Sequence, residues 1–199
     1  MKSIQNNNYH HGDLQNALIE AALKLIKKKN GWQFTLRDVA RIAGVSHTAP
    51  YRHFADKASL LTELAIFGFE KMANEISKTI DTKLSAKDQL IAAAKSYIEF
   101  GTKNSALYQL MFSSEAGTKN NVHLNERAME AFSLLIRILE KGQQKGLIRN
   151  RPIKGLAAAC WAQVHGLTML SIHGLLLPEK VGENPIASAL GSLIEGIEA

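Results

Sequence analysis

Residues 35–54 read TLRDVARIAGVSHTAPYRHF, and the fold of the chain turns on them. Thr35 followed three residues later by Asp38 is a capping-box start, in which each side chain bonds the other residue's backbone N–H. The short helix it opens places Leu36, Val39, Ala40 and Ala43 on one face. Ala40 is small where a second helix must cross the first. Gly44, four residues on, tolerates the positive φ of a tight turn, the requirement of a helix-turn-helix. Val45 can plug the gap between the helices. From about residue 46 to 54 a further helix is predicted, with a polar or small front at Ser46, His47, Thr48 and Ala49. Such a front lets a helix enter a major groove about 12 Å wide and touch base edges. A small residue and a glycine four apart arise by chance in many helical proteins. Here they coincide with a capping start and an aromatic-basic tail, Tyr51-Arg52-His53-Phe54.

The charge pattern points the same way. Residues 1–57 carry nine Lys/Arg against four Asp/Glu, whereas residues 58–199 carry fifteen against fourteen, so the surplus within the formal +6 sits in the first quarter of the chain. That is the footprint of a surface facing phosphates. At 199 residues and 46% hydrophobic composition, the chain can bury a core without disulfides or metals. The single cysteine, Cys160, excludes an intrachain disulfide and zinc-finger arrangements, and suits a reducing cytoplasm, the expected location. The polar, Asn-rich start has no apolar stretch of the secretory kind. The histidines show no HxxxH or Cys/His spacing, so neither metal nor cofactor is expected. Without a glycine-rich phosphate loop, nucleophile elbow or paired carboxylates, a helical enzyme has no support.

Outward from the central stretch, the sequence is helix after helix, with no period-2 strand pattern, and the expected fold class is all-α. Asp13 is read as the cap of a helix to about Lys29, with Leu14, Leu18, Ala21, Ala22 and Leu25 on its apolar face. Asp56 or a neighbour opens a longer helix to roughly Lys78. Further helices are predicted at about 85–102, 106–112, 124–145, 153–176 and from Pro185, proline being favoured in a first turn. Residues 117–121 are read as loop. Residues 156–177 carry no formal charge and are long enough to span a bilayer, but Gln163, His165, Ser171 and His173 dilute the run, and a buried helix is the expectation.

Three pieces resemble the TetR family of regulators. Tyr9-His10-His11-Gly12-Asp13-Leu14 is similar to a lead-in to the first helix in one branch of it. Thr35 through Ala40, Ala49 through Phe54, and Asp56-Lys57 resemble its DNA-reading signature. Trp161, His165-Gly166 and their apolar helix resemble the effector domain of that branch, the WHG type. The resemblance implies a flexible arm over 1–10, a helix-turn-helix DNA-binding domain over 11–58, and an effector-binding and dimerisation domain over 59–199. Arg37 is then expected at a base edge or phosphate, His47, Thr48 and Ala49 at the base-reading front, and Tyr51, His53 and Lys57 at phosphates, with Thr35 and Ser46 completing the DNA-facing set. Pro50 stands where the family more often has leucine; without an N–H it fits only the first turn of a helix.

The resemblance also implies a cavity for a small-molecule effector, with Tyr97, Tyr108, Met111, Phe112, Met129, Trp161 and His165 as candidate lining residues. Read on spacing alone, such side chains are ordinary core, and His165 is as well suited to a hydrogen-bonded core position. Ala157, Ala158, Ala162 and Gly166 keep one helix slim, and Ile186, Leu190, Leu193, Ile194 and Ile197 make a stripe needing a partner. A homodimer through about 153–176 and 185–198 is expected, without membrane association. The implied function is a transcriptional regulator, a repressor released from a palindromic operator by its effector. A non-specific DNA binder and a helical carrier or enzyme are the rivals.

Overall fold

The computed structural model describes residues 11–29, 31–81, 83–117 and 122–199. The expected arm over 1–10, the Tyr9-His10 part of the lead-in and most of the predicted loop at 117–121 lie outside the described residues. Among them the secondary structure is helical, with a lone bridge between Ile148 and Glu198 as its one extended pairing. Helix α1 (His11–Lys29) turns Leu18, Ala21, Ala22, Leu25 and Ile26 inward, and begins two residues before the expected cap at Asp13.

Helix α2 (Leu36–Ala43) starts as the sequence indicates. Asp38 N–H donates to Thr35 Oγ1 at 3.2 Å, and Thr35 N–H donates to Asp38 Oδ2 at 2.9 Å. It stops at Gly44, whose φ of 70° and ψ of 30° are left-handed, while Val45 N–H returns to the Ala40 carbonyl at 3.0 Å. No atom lies within 4 Å of where a Cβ on Gly44 would stand, so the backbone conformation, not crowding, requires the glycine.

The next element corrects the sequence reading. Instead of an α-helix over 46–54, the chain makes a four-residue 3₁₀ turn, Ala49–Arg52. Pro50 has no N–H to give the Ser46 carbonyl, so the α-helical ladder cannot run through it. Ala49 N–H to Ser46 O at 3.0 Å and His53 N–H to Pro50 O at 3.0 Å span three residues, and only past the proline does a four-residue bond return, Phe54 N–H to Pro50 O at 2.9 Å. Ala49, Pro50 and Phe54 face inward, and burying Phe54 contributes about 1.5–3 kcal/mol to fixing the turn on the domain.

Asp56 and Ser59 form a second capping box, which opens α3 (Lys57–Ser77). Then follow α4 (Ala86–Lys103), capped by Ser85, α5 (Ser105–Met111), a 3₁₀ turn at Ser114–Ala116, and α6 (Val122–Gln144). Helix α7 (Ile153–Ile172) ends four residues short of expectation, because His173 caps it and Gly174 turns left-handed at φ 65°. Helix α8 (Pro178–Val181) lies in a stretch to which the sequence reading assigned no element, and α9 (Pro185–Ile197) begins at its proline.

One core joins α1, α2 and Phe54 to α3, α5 and parts of α4 and α7. A second joins α4, α6, α7 and α9. Three members of the α9 stripe, Leu190, Ile194 and Ile197, are already buried within these cores in a single copy. Gly101 allows α4 and α7 their close approach, since a Cβ there would collide with Thr168 Cγ2. By length and composition α7 could cross a membrane, with a mean hydropathy of 1.2, and 33% of that window is buried in the fold.

Candidate nucleic-acid interface and internal cavity

The left-handed turn at Gly44 projects a short segment whose outer side chains are Ser46, His47, Thr48, Tyr51 and Arg52, all exposed. Ser46 Oγ and Thr48 Oγ1 share a hydrogen bond at 3.2 Å, which preorders the front of the segment. Tyr51 is 55% exposed, a large apolar surface to leave in water without a partner. Arg37 is exposed at the start of α2, and Lys57 is half-buried with Nζ 5.6 Å from the Phe34 ring centroid, a cation–π contact that steadies its stem. Thr35 holds its hydroxyl on Asp38, and Ala49 is buried against the domain, so neither presents a free side chain to a groove. His53 is half-buried, and its Nε2 has no partner among the described residues and no exposure. A phosphate would meet that atom only after the ring turned. Arg52 was absent from the expected set, although a lone arginine beside Tyr51 is a signal the sequence carried. Arg41, also exposed, is tied to Asp38 at 3.0 Å.

At the other end a cavity of about 330 Å³ lies between α3, α4, α6, α7 and α9. Tyr97, Phe112, Met129 and Trp161 line it as expected from sequence. Phe132, another of the large side chains the sequence offers there, lines it too, as do Phe69, Met72, Leu90, Cys160 and Leu193, which no sequence signal set apart from core. The remaining candidates stand off the lining. Met111 is fully buried against Gly68, and Tyr108 is fully buried, hydrogen-bonded to Tyr97 and His165. The three polar groups form a cluster: Tyr108 Oη lies 2.9 Å from Tyr97 Oη and 2.6 Å from His165 Nδ1, with 3.4 Å between Tyr97 Oη and the same nitrogen. Phe112 meets the imidazole edge-on, ring centroids 4.5 Å apart.

Burial sets the charge state of these groups. It raises both tyrosines, pushes the Cys160 thiol up to about 11, and lowers His165 below its usual value. Near neutral pH the cavity wall therefore holds no charge.

The two regions are physically joined. Phe112, on the cavity wall, closes α5; three residues later Glu115 accepts a 2.7 Å hydrogen bond from Trp32 Nε1, in the segment leading into α2. Thr62 Oγ1 of α3 donates to the Ala116 carbonyl at 3.0 Å, fastening the same turn.

Residues 18–64 match bacterial regulatory proteins of the tetR family, and residues 90–189 match a tetracyclin repressor-like C-terminal domain. A solved structure from Rhodococcus sp. RHA1 is similar at a TM-score of 0.84 and 26% identity, covering 98% of this chain and 100% of that one. An HTH-type transcriptional regulator from Haemophilus influenzae is 29% identical over 104 residues, 51% of this chain and 50% of the relative, so the match spans half that protein's length. Nucleoid occlusion factor SlmA from Vibrio vulnificus is 24% identical over 160 residues, 75% of this chain and 79% of that protein.

Proposed function

This chain belongs to the tetR family of bacterial regulatory proteins and is a non-enzymatic DNA-binding transcriptional regulator, and from that premise we propose that it is a cytoplasmic repressor, held as a homodimer on a palindromic operator and released by a small apolar effector. The division at residue 58 follows the change of role: residues 11–58 read DNA, while residues 59–199 bind the effector and the second copy. His47 and Thr48 read base edges in the major groove, Tyr51 packs on the backbone, and Arg37, Arg52 and Lys57 neutralise phosphates.

Dimerisation uses the outer faces of α7 and α9. Ala158, Ala159, Trp161, Ala162 and Leu170 are exposed on α7, and Ala187 and Ser188 on α9. Small residues let two such helix pairs approach closely around a two-fold axis. Two reading segments then face half-sites roughly 34–36 Å apart or a little more. The effector acts by population shift: it prefers a form with the reading segments mis-spaced, and lowers operator affinity by the ratio of its affinities for the two forms. The turn at Ser114–Ala116, between the cavity wall and Trp32, is the physical route for that coupling.

The observation that supports this reading best is a hollow apolar interior tied, through one short helix and turn, to an exposed polar segment on a glycine-enforced bend. Selection of bound sequences from random DNA tests it. An inverted repeat is the expected product; equal affinity for random duplex at fixed salt would leave only a non-specific binder.

A further inference from the structure

The cavity wall carries no charge near neutral pH, and the lining residues with polar side-chain groups are few: Tyr97, Cys160 and Trp161. The hydrogen-bond inventory of the tyrosine cluster decides what the first of these offers. Tyr108 donates its one hydroxyl proton to Tyr97 Oη at 2.9 Å. With the Tyr108 proton committed, the 2.6 Å contact between Tyr108 Oη and His165 Nδ1 must carry the proton on nitrogen. His165 Nδ1 is then a donor, and the Tyr97 O–H has no acceptor left in the cluster. An O–H without an acceptor on an otherwise apolar wall is costly until something in the cavity takes it.

We propose that the cavity selects a neutral, mainly hydrocarbon ligand bearing one hydrogen-bond acceptor, a carbonyl or ester oxygen, which takes the free O–H of Tyr97. This rests on the reading of the cavity as the effector site. A cavity of about 330 Å³, at the small end of the range for small-molecule pockets, suits a ligand of single-ring size. A carboxylate is disfavoured, because no Lys or Arg lines the space and an unpaired buried charge is expensive. His165 is a positioning residue here: by donating to Tyr108 it keeps Tyr97 from turning its proton back into the cluster.

Three probes of nearly equal size test the assignment: 4-phenyl-2-butanone, n-butylbenzene and 4-phenylbutanoate, each titrated into the full-length protein and followed by isothermal titration calorimetry. The ketone should bind about five-fold tighter than the hydrocarbon, one neutral hydrogen bond's worth. The carboxylate should bind at least about ten-fold weaker than the ketone. Tyr97→Phe should bring the ketone down to the hydrocarbon's affinity and leave the hydrocarbon unchanged. The wild-type ranking is a test in itself should that variant fold poorly. Ketone and hydrocarbon binding equally, or the carboxylate binding best, would overturn the inference while the effector-site reading stands. None of the three binding would overturn the inference as well, and the effector-site reading is then judged apart from it, by whether any small molecule releases the protein from its operator.

Discussion

Replacing Arg52 by alanine should change the salt dependence of operator binding more informatively than its strength. Arg37, Arg52 and Lys57 are the cations that the proposed function sets against phosphates, and among the described residues none has a carboxylate partner of the kind that holds Arg41. One phosphate each in two protomers makes six contacts, and at about −0.9 per contact the plot of log K against log salt has a slope of about −5. Between about 50 and 200 mM salt the affinity should then fall about 10³-fold. Arg52→Ala removes a contact from each protomer, so the slope should flatten to about −3.5 and the fall shrink to about 10²-fold. Arg52→Lys should keep the original slope, because a point charge suffices for a phosphate. Fluorescence anisotropy on one fixed operator across a salt series measures this, with thermal melting to show that the variants fold. A slope that stays near −5 in Arg52→Ala would refute the placement of Arg52 against the backbone, whatever happens to affinity at a single salt concentration.

Gly44→Ala meets no neighbouring atom, so its cost is the left-handed backbone alone: about 1–2 kcal/mol, or a melting temperature lower by about 2–4 °C per kcal/mol. Scanning calorimetry checks it, and operator affinity should fall with it, because the turn aims the reading segment. Gly101→Ala should cost about 1–3 kcal/mol by overpacking against Thr168 Cγ2. The double variant with Thr168→Ser, which removes that methyl and keeps the hydroxyl on the Val164 carbonyl, should recover most of the loss in urea unfolding. Burial holds the folded His165 below its ordinary value of 6.5, so the unfolded chain takes up its proton first as the pH falls. Stability should therefore decline as the pH drops below about 6.5 until the folded value is reached, and His165→Gln should show a smaller decline in melts at stepped pH.

What the sequence made legible was local chemistry. The Thr35–Asp38 box, the Gly44 stop and the Asp56 start are decided by residues within a turn of one another; the first forms with its expected partner, the second falls at its expected residue, and the third gains a partner, Ser59, that the sequence reading did not name. The cavity was not legible, because a period of 3.6 marks which positions face inward and is silent on whether the space they face is filled. Leu90 and Leu193 scan like any core residue, and only the packing of five helices leaves a hollow between them. The Tyr97–Tyr108–His165 cluster was out of reach for a related reason: its members are 11, 57 and 68 residues apart, and they meet because Gly101 lets α4 and α7 close on each other. Pro50 is the instructive case between these extremes. The sequence flagged it as a local conflict, a residue without an N–H inside a predicted helix, and the fold resolves the conflict with a 3₁₀ turn over Ala49–Arg52 in place of the α-helix. That resolution turns Ala49 inward and leaves Tyr51 and Arg52 outermost. The outer face of the segment is thus set by the break in the helix rather than by its continuation.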